Sequence, residues 1–169
     1  MKVKHMTFLA MYTTIALTIF VVESMIPPLA PIPGIKLGLA NVVTLWLLYY
    51  TSFKDAGIVL LMRILIASMV TGQMVSFCYS LCGGLCCFAA MSLLFLVLGK
   101  QYMVFISIIG ALFHNLGQIL IAVLILQSLS ILTYLPFLII SAILTGTFTG
   151  FAAWFASRRL RRNQVWFTP

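Results

Sequence analysis

Glu23, Lys36, Asn41, Arg63, His114, Asn115 and Gln118 are polar residues set within or beside long apolar runs. Their types suit binding rather than bond-making. Lys36 and Arg63 can supply positive charge to an anion, and the amides and the imidazole can supply directed hydrogen bonds. Glu23 can hold a loop or meet a cationic part of a solute. His114 has the chemistry of a proton relay or a metal ligand, but the other histidine, His5, lies at the N-terminus, so no metal site and no cofactor are expected. The chain has 2 acidic residues, Glu23 and Asp55, expected on opposite sides of a membrane. Two carboxylates so placed cannot gather into a metal or acid–base site, so no independent catalysis is expected.

Spacing and depth group these residues. His114 and Gln118 are four apart and share a helix face. At about 1.5 Å per residue, His114 and Asn115 fall near mid-membrane, Arg63 below them, and Glu23, Lys36, Asn41, Gln73 and Gln118 toward the outer end. That distribution predicts a polar pocket open to the outside and closed beneath. Depth pairs Glu23 with Lys36 and leaves Arg63 to His114, Asn115 or an anionic ligand. The alternative is that the polar groups only satisfy one another as interhelical hydrogen bonds, each worth about 0.6 kcal/mol.

Of the 169 residues, 63% are hydrophobic and 7% charged. So few charges cannot cover a water-facing surface, for which about 25% is usual. The apolar runs have helical lengths. They predict one all-α domain over 1–169, a six-helix bundle with spans near 7–26, 37–53, 56–74, 76–98, 103–126 and 134–157. The net charge of +8 does not imply nucleic acid, because the basic residues sit mainly at segment ends. Lys2, Lys4, Lys54, Lys100, Arg158, Arg159, Arg161 and Arg162 fall on one side of a six-span topology and Lys36 on the other. The positive-inside rule makes the first side, with both termini, cytoplasmic.

The connection from Glu23 to Asn41 contains Pro27, Pro28, Pro31 and Pro33, which no regular helix accommodates. It is expected to be a stiff external cap, either a lid or an ordinary loop. Cys78, Cys82, Cys86 and Cys87 lack metal-ligand spacing and suit small packing residues, with a redox role as the alternative. Gly83-Gly84 is expected to mark a helix break or a close helix contact. Ala142, Gly146 and Gly150 form a small-residue stripe for close helix packing, within the bundle in preference to between two copies.

The chain resembles the Gx transporter family, whose members also carry the name heptaprenyl diphosphate synthase component I. The resemblance runs nearly end to end. It is carried by Glu23-Ser24 with Pro27, PGIKLGLAN at 33–41, Val43-Thr44-Leu45, Arg63, Gly83-Gly84, Met91, GALFHNLGQ at 110–118, Leu135-Pro136 and TGTFTG at 145–150. The family is similar to the substrate-binding S components of energy-coupling factor transporters. The resemblance implies a six-helix bundle with an outward-facing pocket capped by its first loop, and ATPase and coupling subunits as partners. With no Walker A sequence here, any ATP use falls to those partners. The expected protein is a bacterial inner-membrane component capturing a small polar or anionic solute from outside. A membrane accessory subunit in isoprenoid or quinone synthesis, or in membrane redox chemistry, is the alternative.

Overall fold

The computed structural model describes residues 3–25 and 36–161, with side chains to Arg159. Pro27, Pro28, Pro31, Pro33 and Arg162 lie outside the described residues, as does Lys2. Six α-helices run in order: α1 Val3–Ser24, α2 Asn41–Tyr50, α3 Phe53–Thr71, α4 Met74–Leu98, α5 Met103–Leu126 and α6 Leu135–Arg161. Short 3-10 turns at Lys100–Tyr102 and Leu129–Tyr134 lead into α5 and α6. No strand occurs among the described residues. Four segments, Val3–Ser24, Met74–Leu98, Lys100–Leu126 and Leu129–Arg159, are long and apolar enough to cross a membrane. Apolar side chains such as Met69, Leu96, Leu124 and Phe148 cover the outside, as lipid contact requires.

The second span differs from expectation. In place of a helix over 37–53, α2 has 10 residues, about 15 Å of rise. Gly38, at φ +80°, takes a left-handed conformation that a continuing helix cannot absorb, so residues 36–40 approach α2 as irregular chain. What α2 lacks in length it gains in enclosure. Its residues 43–49 are all buried, the pattern of a helix apolar all round. Leu45, Trp46, Leu47 and Leu48 join Ala16 of α1, Val59 of α3, Met91 of α4, Ile106 of α5 and Ala153 of α6 in one core. The other helices wrap α2.

The turn from α2 to α3 is tight. The Ser52 hydroxyl caps α3 by accepting from the Asp55 amide at 3.2 Å, while the Asp55 carboxylate meets His5 Nε2 at 3.0 Å. That hydrogen bond fixes the start of α1 beside the start of α3. Tyr49 and Phe53 both meet Phe95 edge-on, bringing the end of α4 to the same level. Gly150 of α6 lies against Val104 of α5, so the end of α6 joins them. Both described ends of the chain, with Lys4, Lys54, Lys100, Arg158 and Arg159, therefore share one end of the bundle, and Lys36 occupies the other.

Gly83-Gly84 is a close contact and not a break, since α4 runs through it from Met74 to Leu98. A Cβ on Gly84 would come within 3.1 Å of Ile64. Cys82 and Cys86 thus stay aligned on one helix, and all four cysteines are free thiols. The small-residue stripe packs within the chain. A Cβ on Gly146 would stand 2.6 Å from the Ile108 Cα, one on Gly150 2.8 Å from the Val104 Cα, and Ala142 has no exposed surface.

Candidate functional site

The centre of the site is His114, on a face of α5 that Gly110, Gly117 and Gln118 also share in burial. Two glycines make room for its ring. A Cβ on Gly38 would lie 2.8 Å from His114 Cδ2, and one on Gly83 would lie 3.0 Å from His114 Nδ1. The irregular chain before α2 and the mid-point of α4 therefore both close directly on the imidazole. Gly117 approaches the Cys82 carbonyl on α4 in the same way, which holds α4 and α5 near enough for this.

Around the ring runs a line of buried polar groups. Arg63 Nη2 donates to Asn41 Oδ1 at 3.3 Å. The Asn41 amide lies 3.3 Å from His114 Nδ1, and the Gln118 amide 3.0 Å from His114 Nε2. The direction of this relay follows from its first member. A guanidinium only donates, so Asn41 presents its oxygen to Arg63 and its NH2 to Nδ1. Gln118 Nε2 faces His114 Nε2 at 3.0 Å and the ring also bonds the Gly83 backbone, so the tautomer sets which ring nitrogen donates, and Gln118 Oε1 has no partner among the described residues. Arg63, Asn41, His114 and Gln118 are each less than one-tenth exposed.

Glu23 enters from the end of α1. One carboxylate oxygen accepts from the Gly38 amide at 2.6 Å, and Glu23 and Arg63 attract each other electrostatically. The pairing of Glu23 with Lys36 expected from depth is not formed. Lys36 Nζ instead donates to the Ser24 hydroxyl at 2.7 Å and stands 3.5 Å over the Phe20 ring. Depth along a helix does not register a backbone amide, and the Gly38 amide reaches Glu23 first. Half-burial pushes the Lys36 ammonium below its ordinary range; the Glu23 carboxylate acts the other way.

The predicted residues thus divide. Glu23, Asn41, Arg63, His114 and Gln118 meet at one centre, with Lys36 at its rim. Asn115 turns away: its Nδ2 donates to the Leu138 carbonyl at 2.8 Å, tying α5 to α6. Gln73 is exposed in the connection before α4. Beneath Asn41 lies a further polar layer that sequence reasoning did not include. A cavity of about 10 Å³ is lined by Gly38, Asn41, Cys87, Ser107, Thr145 and Thr149. The Ser107 and Thr149 hydroxyls share a hydrogen bond of 2.9 Å across α5 and α6. Such a space admits about one water. Its signal in the sequence was Thr145 and Thr149 flanking the glycine stripe.

No cluster of three or more potential metal ligands occurs among the described residues. The two carboxylates stand at opposite ends of α1, since Asp55 meets His5 and Glu23 is 18 residues further along that helix, about 27 Å at 1.5 Å per residue.

Residues 12–156 match the family model for heptaprenyl diphosphate synthase component I. No curated protein and no solved structure matches the chain.

Proposed function

The chain belongs to the heptaprenyl diphosphate synthase component I family, and from that premise we propose that it is a membrane component that binds a small anionic solute at Arg63. The observation that carries this reading is the state of Arg63 itself. It is 4% exposed, one neutral oxygen 3.3 Å away accepts from it, and its Nε has no partner among the described residues. A guanidinium has five N–H donors in a planar fork suited to carboxylate or phosphate. Ionisable groups in a membrane interior mark ligand paths by default. Asn41, His114 and Gln118 would orient the solute, and Lys36 with the Gly38 backbone would close over it.

In this reading the end of the bundle bearing Lys36 faces outward. The end with Lys4, Lys54, Lys100, Arg158 and Arg159 faces the cytoplasm of a bacterial inner membrane. Energising ATPase and coupling subunits would be partners, and the chain would not itself catalyse a reaction. The family's name favours a second reading, a membrane subunit that supports a separate prenyl diphosphate synthase subunit. Separation of the two carboxylates supports leaving the prenyl transfer to that partner.

The deciding experiment is mass spectrometry of small molecules retained by gently purified protein. Wild type is compared with Arg63→Leu and with the charge-balanced pair Glu23→Gln/Arg63→Leu, which keeps the bundle free of an unmatched buried carboxylate. An anion present in wild type and lost from both variants is expected. An empty wild type that co-purifies with a prenyl synthase would transfer the argument to the second reading.

A further inference from the structure

At the end of the bundle opposite Lys36, α5 begins where α6 finishes, and the two leave a cleft of about 270 Å³. Its walls include Tyr102, Phe105, Phe151 and Trp154, each more than one-third exposed. Aromatic rings at this level are the usual mark of the headgroup region. Lys100 lies beside the cleft, immediately before Gln101 of its lining, and is exposed. Arg158 lies one turn beyond Trp154, its guanidinium stacked 3.9 Å over the indole. Stacking occupies the face of a guanidinium and leaves its N–H edge free to grip a phosphate.

The charge balance of this end gives the cleft its preference. Lys4, Lys54, Lys100, Arg158 and Arg159 gather here. The chain has 2 acidic residues; Asp55 is bonded to His5, and Glu23 bonds Gly38 at the far end. These cations must find their anions outside the protein. We propose that the cleft holds one anionic phospholipid, with its phosphate at Lys100 and Arg158 and an acyl chain against Phe105, Phe151 and Trp154. A freely soluble anion would make no use of the aromatic wall, and a zwitterionic lipid would bring a second cation to a site already rich in them. Basic sites between helices at this membrane level suit anionic headgroups. The inference is independent of the solute site at Arg63.

The test uses the full chain in nanodiscs, in a Trp166→Phe background so that Trp154 and the buried Trp46 report. Quenching by acyl-brominated phosphatidylglycerol is compared with quenching by acyl-brominated phosphatidylcholine at equal fractions. Wild type should prefer phosphatidylglycerol. Lys100→Gln, an exposed position, should lower that preference about fivefold, and Lys100→Gln/Arg158→Gln about thirtyfold. Taking the ratio of the two lipids within each variant cancels the loss of the indole stack. Equal quenching by the two lipids in wild type, or a preference that survives the double change, would overturn the proposal. So would displacement of the phosphatidylglycerol by an equimolar polyprenyl diphosphate, which would assign the cleft to that amphiphile.

Discussion

At the scale of single residues, the centre of the protein is a charge with too few partners. Arg63 and Glu23 attract each other in a buried setting, so their removal should be strongly non-additive. Arg63→Leu alone leaves the carboxylate its Gly38 bond but removes the opposite charge, so it should destabilise by more than its share of the Glu23→Gln/Arg63→Leu pair, with a coupling of about 0.5–3 kcal/mol. A double-mutant cycle of thermal unfolding in detergent measures it; simple addition of the two costs would remove the electrostatic link. Gly38→Ala meets two obstacles, a left-handed backbone and a Cβ 2.8 Å from His114, and should cost more than about 1 kcal/mol and weaken retention of the solute. Much of this centre was legible beforehand. His114 and Gln118 share a face by spacing alone. Asn115 was not separable by depth, yet it is about 100° further round the helix than His114, and that rotation turns it toward α6. The Glu23–Gly38 bond was hidden because it uses a main-chain amide, which every residue but proline carries.

At the scale of elements, glycines decide how closely helices meet, and they do so in two distinguishable ways. Gly146 lies against the backbone of α5, with a Cβ 2.6 Å from the Ile108 Cα, and no side chain can swing aside to relieve it. Gly146→Ala should therefore destabilise by about 1–3 kcal/mol. Gly72 ends α3 at φ +65° with open space around it, so Gly72→Ala should cost only the backbone strain, roughly 1 kcal/mol. Thermal midpoints of the two variants, compared side by side, check the ranking; a milder effect at Gly146 would mean that α5 and α6 slide apart freely. The lengths of α5 and α6 were readable from apolar runs because those helices present a lipid face. The length of α2 was not. Leu37, Leu39 and Ala40 extend its apolar pattern at the front, and only the conformation of Gly38 stops the helix there.

At the scale of the whole molecule, charge is sorted by end. Of the described basic residues outside the helix interiors, Lys36 alone stands opposite the others. A fluorescent-protein fusion at the C-terminus should fold and fluoresce on the cytoplasmic side, while an impermeant label at Leu129→Cys should react from outside in a background where the native cysteines are replaced. Reaction from the inside would invert the topology and with it the direction of solute access. Sorting by end was visible in the sequence because it needs only the order of spans and charges. The enclosure of α2 was not, because it depends on five other helices closing round it. That enclosure bears on how the chain enters the membrane during synthesis. Ten residues fall well short of the ~20 that let a segment partition into lipid unaided. On that ground α2 should enter together with α3, joined by the turn at Thr51 and Ser52, as one hairpin carrying Arg63 on its second arm, with the core sealed from lipid only once α4, α5 and α6 are made.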